Sequence, residues 1–182
     1  MRGLRRWDEV LRRLPKTPAK LAEVGVWRGV QASHLLPAKS DLDMYLVDRW
    51  STPKRGDSYS RSGSKISTYT QIYHDLALKM VRDLASQYPG RAHIIVSDSA
   101  EGARGFEDYS LDMVFIDADH SYEGCKRDIL AWANKVKIGS YLGGHDYANK
   151  TGEVKRAVDE LFPLSRIEFG PDHVWFVRME EE

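Results

Sequence analysis

Five short apolar runs, separated by helical patterns and mostly ending on an acidic residue, limit this chain to one broad class of fold. Leu21–Val26, Met44–Asp48, His93–Asp98, Met113–Asp117 and Ser140–Asp146 have the length and composition of strands. Between them, Ile72, Leu76, Met80 and Leu84 recur at helical spacing, as do Tyr122, Cys125, Ile129 and Trp132, and then Val154, Val158, Leu161 and Phe162. Strands that alternate with helices pair in parallel and carry helices on both faces. The chain ends differently: Arg166–Phe169 and Val174–Val177 flank Gly170-Pro171-Asp172, a turn that suits an antiparallel hairpin. The prediction is an α/β sandwich with a mostly parallel sheet and a C-terminal hairpin. With 182 residues, 42% of them hydrophobic, the chain is expected to form one domain over 1–182.

Two segments lie outside that alternation. Leu4, Trp7, Leu11 and Leu14 share one helical face, with Arg5, Arg6, Arg12 and Arg13 elsewhere, and Pro15 and Pro18 close the pattern. An N-terminal helix of about four turns within 1–20, packed on its own domain, is expected. Residues 50–67 hold Ser, Thr, Gly, Tyr and the basic Arg55, Arg61 and Lys65, with almost no aliphatic content. A loop of that length after the second strand reads as a mobile lid over the ligand end of the sheet, with plain disorder as the competing reading.

Lys plus Arg and Asp plus Glu each total 27, so there is no electrostatic footprint for nucleic acid. The single cysteine, Cys125, cannot form an internal disulfide, and neither a secretory signal nor a long apolar run is present. The expectation is a cytoplasmic protein without a membrane segment.

The segment Glu23-Val24-Gly25-Val26-Trp27-Arg28-Gly29 joins the first strand to the next helix. Gly25 and Gly29 let the backbone turn tightly and present amide groups to a ligand. A dinucleotide loop needs glycine where Trp27 stands, and a triphosphate loop needs Lys and Ser or Thr where Val30 and Gln31 stand. Asp48 follows at the end of the second strand, placed for a carboxylate to accept ribose hydroxyls; capping a turn or pairing with Arg49 is the alternative.

These residues, with Ser97-Asp98-Ser99-Ala100 after the third strand and Phe115-Ile116-Asp117-Ala118-Asp119-His120-Ser121-Tyr122 after the fourth, resemble class I S-adenosylmethionine-dependent methyltransferases. Gly143-Gly144-His145-Asp146-Tyr147 after the fifth strand extends the resemblance to small-molecule O-methyltransferases, some of them metal-dependent. The resemblance spans nearly the whole chain from Leu21 and implies a Rossmann-like methyltransferase sandwich. It implies that Glu23 and Gly25 hold the methionine end of the cofactor, with Trp27 and Gly29 in the same loop. Asp48 and Arg49 would meet the ribose, Trp50 would stack on the base, Asp98 and Ser99 would flank the adenine, and Asp117 would border the reacting end.

Asp117, Asp119, His145 and Asp146 should converge, because the fourth and fifth strands are neighbours, and clustered carboxylates need a cation or proton beside them. The relatives' magnesium site matches Asp117, His145 and Asp146 here, and a histidine in that shell points toward manganese, iron or zinc, or else is not a ligand. Asp119 has a competing role as cap of the helix that begins near Ser121. His120 stands where relatives place a catalytic lysine and is the candidate base, acting with Asp117.

The expected activity is O-methylation of a small hydroxylated molecule, with magnesium or manganese as an optional helper. A protein that binds or cleaves the same cofactor without methyl transfer is the alternative. Nucleic-acid methylation is disfavoured, since no Asn-Pro-Pro-Tyr-like motif follows the fourth strand. Tyr59, Tyr69, Tyr122 and Tyr147 are candidates to line the acceptor pocket, which a homodimer could complete.

Overall fold

The computed structural model describes residues 5–54, 56–61 and 65–181. Leu4 and Arg55, both part of the reading above, lie outside the described residues. The elements are α1 (Arg6–Arg13), β1 (Ala19–Val24), α2 (Val30–Ala38), β2 (Leu42–Asp48), α3 (Gln71–Ala85), β3 (Ala92–Val96), α4 (Ser99–Ala103), β4 (Leu111–Ile116), α5 (Tyr122–Trp132), β5 (Val136–Gly144), α6 (Glu153–Leu161), β6 (Ile167–Phe169) and β7 (Trp175–Arg178). Seven strands form one sheet in the order β3-β2-β1-β4-β5-β7-β6. The first five pair in parallel, and β7 runs antiparallel to both β5 and β6.

β1 and β4 sit at the centre and are buried along almost their whole length. That is why they read as unbroken apolar runs rather than alternating ones. One core cluster joins Cys125, Ile129 and Trp132 of α5 and Val154 and Val158 of α6 to one face of the sheet. The other joins Val10 and Leu14, Leu35 and Leu36 of α2, and Val81 of α3 to the opposite face. The order of the strands reverses between β1 and β4, and that switch point is where a crevice opens at their C-terminal ends.

Two expectations need correction. The N-terminal helix is only eight residues long, Arg6–Arg13, because Pro15 and Pro18 end it and Ala19–Val24 is already strand. Its basic residues are not all solvated: the side chain of Arg13 is 5% exposed, and its guanidinium lies 4.0 Å from the centre of the Phe176 ring. On α3 the stripe Ile72, Leu76 and Met80 points outward, each at least half exposed, while the helix buries His74, Ala77 and Val81 instead. Both faces of α3 carry apolar residues, so periodicity alone could not select the inner one.

The close approach of β1 to β4 rests on one glycine. Gly25 has φ +89, and a Cβ placed there would lie 2.1 Å from the carbonyl oxygen of Asp117. That neighbour is backbone held by the Asp117 N–H to Val24 carbonyl bond of 2.7 Å, so it cannot step aside. Gly25→Ala is expected to cost about 3 kcal/mol, lowering the melting temperature by roughly 10 °C. Thermal unfolding followed by circular dichroism checks this; a variant that melts with the wild type would show that the two backbones can separate freely.

Candidate active site

A cavity opens over the carboxyl ends of β1, β2 and β4, walled by Glu23 to Arg28, Val47 to Arg49, Ser97 to Ser99 and Asp117 to His120. The Gly25–Gly29 turn is held from one side by Asp48. Its Oδ2 accepts the N–H groups of Val26 at 2.9 Å and Trp27 at 2.8 Å, and its Oδ1 accepts that of Trp50 at 2.8 Å. Trp27 and Trp50 adopt left-handed φ of 52 and 40, unusual for bulky residues, and Asp48 is what holds both in place. Asp48 thus builds the loop as well as facing the cavity.

The other residues expected around the cofactor divide into those that reach the cavity and those that serve packing. Trp27, Arg49, Asp98 and Ser99 line it. Trp50 does not: it is 2% exposed, and its indole N–H donates to the Trp27 carbonyl, so stacking on a base is ruled out for the ring in this position. Gly29 is also absent from the wall; a Cβ there would press on Val81 and Leu84 of α3, so its smallness serves helix packing. Arg49 pairs with Asp57 at 2.6 Å, tying the lid to the end of β2. Asp98 caps α4 by accepting the Ala100 N–H and still faces the cavity.

The described part of the 50–67 segment contains two short 3-10 turns, Ser58–Arg61 and Lys65–Thr68. Tyr59 and Ile66 line the cavity, and the Ser58 hydroxyl donates to Asp119 Oδ2. Among the four candidate tyrosines, Tyr59 faces the site. Tyr69 packs on Trp27, whereas Tyr122 and Tyr147 turn to α6 and bond Glu160 and Asp159.

At the reacting end, His120 sits between two carboxylates. Its Nε2 is 3.2 Å from Asp117 Oδ1 and its Nδ1 is 3.2 Å from Asp146 Oδ2. Burial opposes a charge on His120, but the hydrogen bond and charge of Asp117, with Asp146 and Asp119 behind it, raise its pKa above the ordinary value. Burial likewise opposes ionisation of Asp117, and is outweighed by the His120 hydrogen bond and the charges of His145, His120 and Arg6, so its pKa is lowered. Arg6 donates to Asp117 Oδ2 at 2.9 Å.

Geometry brings His120 to the same two acids as the expected set of Asp117, His145 and Asp146. The group whose ligand atoms all lie within 4.8 Å of one another is Asp117, His120 and Asp146. His145 Nδ1 lies 3.2 Å from Asp146 Oδ2 and 3.7 Å from Asp117 Oδ1, so it too faces both carboxylates, slightly farther from Asp117 than His120. Asp146 reaches the group through a left-handed φ of 61 directly after β5. Asp119 stays out of it: its carboxylate accepts the Ser121 N–H at 3.0 Å and the Ser58 hydroxyl, while the cap of α5 is Ser121, whose hydroxyl accepts the Gly124 N–H, and not Asp119 as the alternative reading had it.

The wall also holds residues that were given no site role from sequence, among them Arg6, His74, Arg127 and Asp128. Arg6 arrives from a helix 111 positions away, and no local pattern marks it. His74 and Asp128 each keep one buried side-chain atom without a hydrogen-bond partner among the described residues.

A doubly wound sheet with a loop of amides at its switch point, a strand-end carboxylate behind that loop and an acid–imidazole group opposite defines a class I S-adenosylmethionine-dependent methyltransferase. The chain belongs to the methyltransferase domain family, whose model matches residues 22–147. No curated protein matches it in sequence. Among solved structures, the O-methyltransferase NovP is 17% identical with a TM-score of 0.67, covering 96% of this chain and 76% of its own. The calicheamicin methyltransferase CalS11 is 15% identical with a TM-score of 0.69, covering 96% and 77%. Spermidine synthase from Thermotoga maritima is 18% identical with a TM-score of 0.53, covering 91% and 54%. At these identities the structures share the fold.

The residues fit the cofactor. Glu23 is 3% exposed, lines the cavity, and its Oε2 has no hydrogen-bond partner among the described residues. Burial pushes its pKa up to about 8 against the pull of Arg6, so it is mostly protonated at neutral pH. A ligand that brings a cationic ammonium or sulfonium beside it favours the ionised form. Binding of S-adenosylmethionine at pH 7 is then expected to release close to one proton, a release that fades as pH rises past 8 and disappears in Glu23→Gln. Titration calorimetry in buffers of different ionisation enthalpy measures it, and equal heats in all buffers would refute it. Stability has the matching sign: the unfolded group ionises near 4.5, so Glu23 weakens the fold as pH rises from there toward 8.

Proposed function

We propose that this methyltransferase acts on a hydroxyl of a small molecule and that His120 accepts the hydroxyl proton. The observation that carries the reading is the imidazole held between Asp117 and Asp146 on the cavity wall. The bound cofactor supplies a methyl on a positively charged sulfur, transferred by in-line displacement. The chain supplies position and a proton acceptor. Glu23 and the Gly25 backbone face the methionine end, and Asp48 fixes the loop that carries them. Asp117 and Asp146 orient His120 and stabilise the imidazolium that forms when it takes the proton. Tyr59 and Ile66 cover the cavity and keep water from competing with the acceptor. The structural similarity to NovP, an O-methyltransferase, and to CalS11, a TDP-rhamnose 3'-O-methyltransferase, supports a hydroxyl acceptor.

A second reading rests on the same three side chains. Two carboxylates and an imidazole with ligand atoms within 4.8 Å suit a divalent cation, manganese better than magnesium, which would lower the pKa of the acceptor hydroxyl. Arg6, His120 and His145 already face the carboxylates of Asp117 and Asp146, so the group is also balanced by its own cations.

The test is transfer of labelled methyl from S-adenosylmethionine to a panel of phenols, catechols and nucleotide-linked sugars, with and without chelator. Labelled methyl ether with equimolar S-adenosylhomocysteine is expected. Loss of transfer on chelation, restored by manganese, assigns the cation a role; retention leaves the proton to His120 alone. Cofactor consumed without label in any acceptor would favour cofactor cleavage instead.

A further inference from the structure

Asp128 lies on the inner face of α5 with none of its surface exposed. Its Oδ1 meets the guanidinium of Arg127, with Nη2 at 3.3 Å and Nε at 3.4 Å. Its Oδ2 is buried with no close hydrogen-bond partner among the described residues, the nearest side-chain donor to the carboxyl besides Arg127 being the Ser99 hydroxyl. An acceptor-only group in that position costs free energy unless a ligand satisfies it. Burial pushes the Asp128 pKa up to about 7, with Arg127 and the nearby Ser99 hydroxyl pulling the other way. Nothing in the packing of α5 calls for a charge there, since the flanking Cys125, Ile129 and Trp132 are core residues.

Position identifies what approaches it. Asp128 shares the wall of the cavity with Ser97, Asp98 and Ser99 at the end of β3. Trp132, one turn further along α5, donates its indole N–H to the Ser99 carbonyl at 3.2 Å and hydroxyl at 3.1 Å, fixing this helix against that loop. In the sheet, β3 lies on the far side of β2 from β1 and β4. A cofactor whose reacting end is at Asp117 and whose ribose is at Asp48 therefore extends its base toward Ser97–Ser99. Asp98 is poorly placed to read that base, because its Oδ1 caps α4 and its Oδ2 faces Arg127 at 3.9 Å.

We propose that the Asp128 carboxylate accepts the exocyclic amino group of the cofactor's adenine and so selects an aminopurine over an oxopurine. The assignment rests on the S-adenosylmethionine reading above. An amino group presents the N–H donor that Oδ2 lacks, whereas a 6-oxo group would turn a lone pair toward a buried carboxylate.

The experiment is calorimetric binding of S-adenosylhomocysteine and S-inosylhomocysteine to the wild type and to Asp128→Asn, with melting curves to confirm folding. The wild type is expected to prefer the adenosyl ligand by roughly 10- to 100-fold. In Asp128→Asn the amide can present either its oxygen or its N–H, so the preference is expected to shrink to about threefold or less. Asp128→Ser provides a second variant with no charge and no steric excess. Equal affinities in the wild type, or a preference unchanged in both variants, would overturn the assignment. Failure of the wild type to bind either ligand would instead overturn the cofactor reading, and this assignment with it.

Discussion

Replacing His120 with alanine is expected to lower the turnover number of methyl transfer by roughly 10²- to 10⁴-fold while leaving the affinity for S-adenosylhomocysteine within about threefold of the wild type. His120 lies 3.2 Å from both carboxylates, nearer to Asp117 than His145 at 3.7 Å, so under the proposed mechanism its loss removes the proton acceptor and leaves His145 beside Asp117 and Asp146. The cofactor loop and the Asp48 network lie on β1 and β2 and make no bond to it. The effect should therefore fall on the turnover number rather than on cofactor binding. This split separates a chemical role from a structural one, because a variant that merely distorted the cavity would weaken S-adenosylhomocysteine binding as well. Rate measurements at saturating cofactor, alongside calorimetric affinity, decide it. A variant with wild-type turnover would remove His120 from both the base and the metal reading.

The contrast with His145 shows where sequence reading stopped. Both histidines follow a central strand, and both stand beside an acid that the family pattern marks. Which imidazole comes closer to Asp117, His120 at 3.2 Å or His145 at 3.7 Å, depends on the path of the loop after β4 and on the left-handed turn at Asp146, φ 61, neither of which leaves a periodic trace. The sheet was readable because parallel strands buried on both faces appear as apolar runs, and the hairpin because Gly170-Pro171 interrupts them. The Glu23–Gly29 loop was readable because steric demands at Gly25 admit few residues. Arg6 was not, since an arginine on an amphipathic helix looks solvated until the fold brings Asp117 to within 2.9 Å. Asp128 was hidden in the same way: a carboxylate between Cys125 and Ile129 reads as the polar side of a helix, and only the assembled fold buries it. What remained illegible thus depends on contacts distant in sequence.

Asp48→Ala is expected to destabilise the fold by about 3 kcal/mol and to weaken S-adenosylhomocysteine binding at least roughly 100-fold, the broadest effect of any single change in the site. The carboxylate accepts three backbone N–H groups, those of Val26, Trp27 and Trp50, and two of the donors belong to residues in left-handed conformations. Removing it leaves the three donors without their acceptor and releases both tryptophans from strained backbone. Asp48→Asn tests whether shape is enough. An asparagine oxygen can replace one carboxylate oxygen, but its amide then points N–H at N–H on the other side, so it is expected to recover less than half of the lost stability. A carboxylate offers about four acceptor positions. Three are used by the loop, which leaves room for a ribose hydroxyl only while the loop is in place. Loss of stability and loss of binding should therefore run in parallel across Ala and Asn, as read by melting curves and calorimetry. An Asn variant that melts normally yet fails to bind would show instead that the charge serves the ligand alone.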